Sequence, residues 1–255
     1  MWYSRCILHK KNKKLYIYIL LSIVTIVIFG KLLHNNMVKN DNIVQVESVV
    51  KPIEDTQNIY IDKEKIILVN RENLLDSDYI PDDLVELNVK FVSQNNKNRL
   101  LDKEAATNLE DMFEDAKNDG IHLLAVSGYR SYDYQKNLYN NKVRKLGKVQ
   151  ADKYSAPPGA SEHQTGLAID ISCRSVGYDL VTRFEKTKEG KWLSKNAHKY
   201  GFILRYPEGK EYLTGYKYEP WHYRYVGTKA ATYIYENDII FEEYYAYFCE
   251  YKNEC

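Results

Sequence analysis

A short strand pattern that contains one acid constrains the fold more than any other stretch of this 255-residue chain. In LAIDIS, residues 167–172, apolar residues alternate, which predicts a β-strand with Leu167, Ile169 and Ile171 on one face. Asp170 then lies on the opposite face, beside a core, where an isolated carboxylate is costly unless it is paired, hydrogen-bonded or bound to metal. The strand therefore requires a partner for Asp170.

Two histidines and a glutamate are candidates to lie near this acid. His163 lies just upstream of the strand, and Gly166 between them has the conformational freedom for a sharp turn. In a second strand pattern, WHYRYV, His222 faces away from the alternating aromatic residues. Glu219 comes shortly before that strand, and the proline after it keeps its backbone extended.

These side chains have the chemistry of a catalytic metal site. Two neutral imidazoles and one carboxylate can bind zinc and leave the fourth tetrahedral position open, so His163, Asp170 and His222 are candidate ligands of one Zn²⁺ per chain. Glu219 is then placed to accept a proton from water. Structural roles remain alternatives: Asp170 as the buried salt-bridge partner of Arg130, His222 as a core histidine, and Glu219 as a surface acid.

The C-terminal three quarters of the chain read as one domain, residues 59–255. Helical periodicity predicts helices at 102–120, 133–146 and about 189–201. Strand patterns occupy 167–172, 202–206 and 221–226, and residues 121–131 are predicted to form a buried strand that runs out into a loop. Helices and strands that follow no regular alternation predict an α+β domain.

The N-terminal part carries a membrane signal. The run 15–33 is mostly apolar over 19 residues, which corresponds to a helix of about 28 Å and predicts a transmembrane anchor. Basic residues are concentrated in 1–14, so the N-terminus is predicted to be cytoplasmic and the remainder extracytoplasmic, in a single-pass protein of the cell membrane. No small-residue cleavage site follows the run, which favours a retained anchor over a cleaved signal peptide. Residues 34–58 are polar and predict a tether.

Several other functions are disfavoured. A formal net charge of +1 gives no electrostatic reason to expect a nucleic-acid partner. The only S-x-x-K, at 48–51, lies in the tether without the companion motifs of serine D-Ala-D-Ala enzymes, and no H-E-x-x-H is present.

Three cysteines, Cys173, Cys249 and Cys255, follow the anchor, and an odd number cannot all pair within the chain.

Four longer stretches carry a family resemblance: SGYRSYDYQ, PPGASEHQTGLAIDIS, GFILRYP and TGYKYEPWHYRYVG. In order and spacing they resemble the VanY-type D-alanyl-D-alanine carboxypeptidases, zinc peptidases of the LAS (lysostaphin, D-Ala-D-Ala, sonic hedgehog) fold group. The resemblance covers about residues 66–227. It implies a small antiparallel sheet flanked by helices, with zinc bound by His163, Asp170 and His222 and with Glu219 as the catalytic base.

The same resemblance implies a substrate and the residues that contact it. Arg130, Gln135 and Ser161 are expected to contact the peptide, and Arg130 also to stabilise the oxyanion. The expected reaction removes the C-terminal D-Ala from peptidoglycan pentapeptide stems or lipid-linked precursors, which would contribute to glycopeptide resistance. L,D-carboxypeptidase or D-Ala-D-Ala dipeptidase activity on the same fold remains an alternative, as does a non-catalytic wall-binding or sensor module.

Overall fold

The strand that contains Asp170 is an inner strand of a four-stranded antiparallel sheet. The structure is a computed structural model that describes residues 65–93 and 98–252. Its strands are β1 (Leu84–Glu86), β2 (Leu100–Asp102), β3 (Leu124–Ser127), β4 (Ala168–Ser172), β5 (Phe202–Leu204) and β6 (His222–Tyr225). The main sheet has the order β3-β4-β6-β5 with all neighbours antiparallel, and β1 pairs with β2 in a separate two-stranded sheet.

Helices flank this sheet, and two of them begin with a side-chain cap. The helices are α1 (Lys103–Asn118), α2 (Tyr132–Leu146), α3 (Lys148–Tyr154), α4 (Lys188–Asn196), α5 (Glu211–Thr214), α6 (Thr228–Glu236) and α7 (Phe241–Lys252). The Asp102 side chain accepts hydrogen bonds from two backbone N–H groups in the first turn of α1. Ser131 accepts one from the first turn of α2. Each cap satisfies donors that a helix N-terminus leaves unpaired.

The main core lies between α1 and one face of the sheet. Leu109 and Met112 of α1 belong to the same buried cluster as Ile169 and Ile171 of β4 and Tyr223 of β6. This is the apolar face of LAIDIS that the alternation predicted. Burying each large apolar side chain stabilises the fold by about 1.5–3 kcal/mol, so this cluster holds β4 and β6 firmly in place.

A second core forms where the C-terminal helices pack. Ile203 of β5, Ile234 of α6, and Phe241 and Tyr244 of α7 form one buried cluster. The sequence analysis assigned no element after residue 227. The two C-terminal helices therefore add a layer next to β5 that the strand patterns alone did not predict.

Gly166 forms the turn between His163 and β4. Its φ is +69°, and a Cβ built there would lie 2.7 Å from Leu84 Cδ2. Gly166→Ala is therefore expected to lower the free energy of unfolding by more than about 1 kcal/mol, measured by urea denaturation. Gly120→Ala is the control, because its φ is +74° but no atom lies within 4 Å of the added carbon. Equal losses in both variants would show that the close packing around Gly166 contributes nothing.

The predicted α+β class with a small antiparallel sheet and flanking helices is confirmed, with changes in the extent of individual elements. The helices predicted at 102–120 and 133–146 match α1 and α2 closely. Within 121–131 the strand is Leu124–Ser127, which pairs with β4 through a bulged register, and the predicted loop follows it. Helix α3 was not predicted, since its seven residues carry too few apolar positions to show a helical period.

The predicted anchor at 15–33 and the tether at 34–58 lie outside the described residues. Within the described part of the chain, no helix is both long and apolar enough to cross a membrane. The anchor, like the domain boundary at residue 59, therefore stays a prediction. Cys173 is a buried free cysteine, whereas Cys249 and Cys255 are outside the residues whose side chains are described.

Candidate active site

Asp170 and His222 are brought together by the register of the sheet. The two residues are direct partners across the antiparallel pair β4 and β6, and the Cβ atoms of such partners lie about 4.5–5.5 Å apart. Their side chains share one face, where His222 Nδ1 lies 3.0 Å from Asp170 Oδ1. Strand alternation therefore places one imidazole and one carboxylate at the same point.

His163 reaches this point from the 3-10 turn Glu162–Thr165, which precedes β4. Its Nδ1 lies 2.8 Å from the carbonyl oxygen of Gly128. Because a carbonyl only accepts, Nδ1 must donate and Nε2 keeps its lone pair for a ligand. That Nε2 lies 3.3 Å from Asp170 Oδ2. The turn thus presents His163 in the tautomer that binds metal.

The three predicted ligands form one buried group. One ligand atom from each of His163, Asp170 and His222 lies within 4.8 Å of the other two. Their side chains are 4%, 3% and 5% exposed, respectively. Imidazole nitrogen and carboxylate oxygen are the ligands that zinc takes in catalytic sites with one open position. The donor set and the orientation of the His163 ring therefore fit a zinc ion.

Burial and charge act differently on the two histidines. Burial, together with the charge of Arg130, lowers the pKa of His163 to about 4. Burial also disfavours the charged form of His222, but hydrogen bonds to Asp170 and Glu162 outweigh this effect and raise its pKa to about 9. At pH 7 His163 is neutral and ready to bind a cation, whereas His222 must release a proton to become a ligand.

Glu219 lies in the segment that connects β5 to β6. Its N–H donates to the carbonyl of Tyr206 at 3.1 Å, and its carbonyl accepts from the N–H of His222 at 3.0 Å. The side chain is half-buried and lines a cleft of about 630 Å³ that also contains the three candidate ligands. Burial raises the pKa of Glu219 to about 7. A carboxylate in this range can accept and return a proton near neutral pH.

Arg130, a predicted substrate contact, is an ion-pair partner of Asp170 in this structure. Its Nη2 donates to Asp170 Oδ2, and its Nε donates to Ser127 Oγ at 2.9 Å. The structural alternative considered from the sequence is therefore observed for this pair. The guanidinium nevertheless lines the cleft. Because an ionised carboxylate has about four lone-pair positions, pairing with Arg130 and binding a metal ion are compatible for Asp170.

Gln135 and Ser161, the other predicted substrate contacts, line the same cleft. They are 2% and 4% exposed. Gln135 Nε2 donates to the carbonyl of Ala156 at 2.8 Å, whereas its Oε1 is buried with no hydrogen-bond partner among the described residues. A buried acceptor without a donor is costly. An N–H group of a bound peptide would satisfy it, which agrees with the predicted role of Gln135.

Glu162, which the sequence analysis did not identify, is fully buried beside the ligand group. Its Oε2 lies 3.4 Å from His222 Nε2. Its Oε1 accepts hydrogen bonds from Arg205 Nε at 2.6 Å and from Arg224 Nη1 at 2.9 Å. A signal was present in the sequence, since FILRY contains Arg205 within an otherwise apolar and aromatic strand pattern and WHYRYV contains Arg224 on the same face as His222. Two such cations require a buried acid as partner.

The sequence profile described as VanY: D-alanyl-D-alanine carboxypeptidase matches residues 98–228, a range that contains every predicted site residue. The chain belongs to the VanY family. The VanY match includes all four strands of the main sheet and ends where α6 begins. Membership of the VanY family makes this chain an enzyme, a metallocarboxypeptidase, and confirms the resemblance found in the sequence.

Individual relatives agree with the VanY assignment. "Putative carboxypeptidase YodJ" of Bacillus subtilis (strain 168) is 48% identical over 197 residues, which are 77% of this chain and 72% of the relative. The structure of the LdcB LD-carboxypeptidase is 51% identical with a TM-score of 0.68, and the match covers 72% of this chain and 86% of that chain. A mutant of the vancomycin resistance D,D-pentapeptidase VanY, solved in complex with Zn(II), is 35% identical with a TM-score of 0.60. The match covers 71% of this chain and 98% of that chain.

Proposed function

We propose that this VanY-family enzyme is a zinc-dependent carboxypeptidase that removes C-terminal D-alanine from peptidoglycan stem peptides. The observation that carries the proposal is the buried group of His163, Asp170 and His222 in the same cleft as Glu219. The Zn(II) complex of the VanY relative supports the choice of ion. One ion per chain is proposed, because this is the one group of three possible ligands found in the described residues.

The side chains of the cleft account for the steps of the reaction. When bound, zinc polarises a peptide carbonyl and makes water acidic enough to lose a proton near neutral pH. Glu219 accepts that proton and delivers it to the amine of the departing D-alanine. The guanidinium of Arg130 stabilises the negative charge that develops on the carbonyl oxygen. Gln135 and Ser161 hold the peptide through hydrogen bonds.

Two types of bond come into question. The bond before the terminal D-alanine is D,D in a pentapeptide stem and L,D in a tetrapeptide stem. Cleavage of the D,D bond in pentapeptide stems or lipid-linked precursors is supported by the family description and by the VanY D,D-pentapeptidase. Cleavage of the L,D bond is the second candidate, and it is favoured by the higher identity to the LdcB LD-carboxypeptidase, 51% against 35%.

Matched substrates separate these candidates. The zinc-loaded protein is expected to release D-alanine from a stem peptide. A chelator is expected to abolish this release until zinc is added back, because zinc is the Lewis acid that polarises the peptide carbonyl. D-alanine is measured with a pentapeptide ending in D-Ala-D-Ala, the corresponding tetrapeptide, and free D-Ala-D-Ala.

Release from the pentapeptide supports D,D cleavage, and release from the tetrapeptide alone supports L,D cleavage. Release from the free dipeptide alone would support the dipeptidase alternative. If a folded, zinc-loaded protein releases D-alanine from none of the three, the proposed function is wrong and the non-catalytic wall-binding module becomes the better hypothesis.

We further propose that the enzyme is anchored in the cell membrane by residues 15–33, with residues 1–14 in the cytoplasm and the catalytic domain outside. The proposal is supported by the length of the apolar run and by the basic residues before it. It places the active site where peptidoglycan stems are exposed. Protease added to intact protoplasts should then degrade the catalytic domain, whereas full protection of the domain would contradict this topology.

A contribution to vancomycin-type resistance is proposed only for D,D cleavage. Removing the last D-alanine destroys the D-Ala-D-Ala end that glycopeptide antibiotics bind, whereas L,D cleavage acts on stems that have already lost it. Deletion of the gene is expected to increase glycopeptide susceptibility in a host that carries it. Unchanged susceptibility would contradict the resistance role without affecting the proposed chemistry.

A further inference from the structure

The candidate ligand His222 contacts a buried acid on the side away from the ligand group. His222 Nδ1 faces Asp170 Oδ1, and its Nε2 lies 3.4 Å from Glu162 Oε2. A carboxylate that accepts from the second ring nitrogen of a metal-binding histidine fixes both the tautomer and the ring orientation. In the metal-binding form of His222, which carries a single ring hydrogen, Glu162 holds this hydrogen on Nε2 and leaves the lone pair of Nδ1 for the ion.

Glu162 is itself held by two buried arginines. The side chains of Glu162, Arg205 and Arg224 are each 0% exposed. Both guanidinium groups donate to the same oxygen, Oε1, at 2.6 Å and 2.9 Å. The other oxygen, Oε2, is thereby left for His222. This division of the two oxygens depends on the position of the guanidinium groups.

The C-terminal helix α7 sets the position of Arg205. Glu242, in the first turn of α7, accepts from Arg205 Nη1 at 2.8 Å and from Nη2 at 2.6 Å. This bidentate pair leaves the Nε of Arg205 directed at Glu162. Phe241 stacks against both guanidinium groups. The centre of its ring lies 5.2 Å from Arg205 Cζ and 5.0 Å from Arg224 Cζ.

Charge balance makes Glu242 necessary to this arrangement. The two carboxylates of Glu162 and Glu242 neutralise the two guanidinium groups of Arg205 and Arg224 within a group that is almost entirely buried. Removing one partner from such a group leaves a buried charge uncompensated. Without Glu242, Arg205 would depend on Glu162 alone and would compete with His222 for its second oxygen.

We propose that Glu242 is a positioning residue for the metal ligand His222, acting through Arg205 and Glu162. The inference rests on the proposed zinc site and extends it to α7, which lies beyond the residues that match the VanY profile. Through the contact of Glu242 with Arg205, the C-terminal helix then helps to orient His222 and contributes to zinc affinity.

Zinc affinity of the full-length protein, measured by competition with a chromophoric chelator, tests this proposal. Glu242→Gln is expected to weaken zinc binding about tenfold. It is also expected to shift the visible absorption bands of the cobalt-substituted protein, because the orientation of one ligand changes. Glu242→Asp keeps the charge and is expected to recover most of the affinity.

Glu243→Gln is the matched control on the same turn of α7. Glu243 Oε2 accepts from the N–H of Ile240 at 2.9 Å and lies 3.9 Å from Lys210 Nζ, so its polar contacts are to groups other than Arg205 and Arg224. This variant is expected to keep wild-type zinc affinity, even with a lower melting temperature. If Glu242→Gln lowers the melting temperature but leaves zinc affinity and the cobalt spectrum unchanged, Glu242 is a structural contact only and the proposal is wrong.

A second variant covers the case in which Glu242→Gln does not fold. Arg205→Lys keeps the positive charge but removes the two-pronged contact with Glu242 and the directed Nε. It is expected to weaken zinc binding in the same direction, and unchanged affinity would overturn the proposal. A wild-type protein that binds no zinc in the same titration would instead contradict the proposed function itself.

Discussion

The Glu219→Gln variant is expected to release D-alanine with a kcat about 10²–10⁴-fold lower than that of the wild type. Glutamine has nearly the same shape but cannot accept the proton of the attacking water or return it to the leaving amine. The amide is also uncharged, so the half-buried position of the side chain causes no new desolvation cost. Steady-state kinetics with the better of the two stem peptides measures kcat, and metal analysis measures bound zinc.

The role of Glu219 as a base, separate from metal binding, is tested by the zinc content of this variant. Zinc is expected to remain at one ion per chain, because Glu219 is not among the three candidate ligands. Glu208→Gln serves as the control, since Glu208 is an exposed acid on the same β5–β6 connection. A Glu219→Gln enzyme with near wild-type kcat would show that another group accepts the proton.

His163→Ala is expected to remove stoichiometric zinc and, with it, activity to the limit of detection. Two ligands remain in this variant, and a catalytic zinc site needs three protein ligands to hold the ion with one open position. Zinc content after dialysis and the rate of D-alanine release are the two measurements. The variant is expected to fold, because His163 is outside both buried apolar clusters. Circular dichroism checks this.

The matched control for this prediction is His122→Ala. His122 is exposed two residues before β3 begins. It belongs to no group of possible metal ligands in the described residues. It is expected to keep both zinc and activity. Stoichiometric zinc in the folded His163→Ala protein would place the ion elsewhere and would contradict the proposed ligand set.

Strand alternation was sufficient to predict which side chains share a face. In LAIDIS it separated Asp170 from the apolar residues, and in WHYRYV it separated His222 from the aromatic ones, as the structure shows. The register that makes these two residues direct partners could not be predicted, because they lie 52 positions apart in the sequence. Pairing over such distances depends on the packing of the whole sheet.

The ionic group behind His222 was missed for a related reason. A single acid or arginine in a sequence does not reveal its partner, and the pairs of Glu162 with Arg205 and Arg224 span 43 and 62 residues. The role of α7 was also missed, because the sequence does not show that its apolar residues pack against β5. The family resemblance identified the seven proposed site residues but gave no indication of the residues that hold them.

The three candidate metal ligands and the proposed base are carried by different kinds of backbone. His163, Asp170 and His222 come from a short turn and two central strands, whereas Glu219 lies at the end of the long connection from β5 to β6. That connection also supplies much of one wall of the cleft. A change in this connection therefore alters the wall of the cleft without altering the strand pairing that brings Asp170 and His222 together.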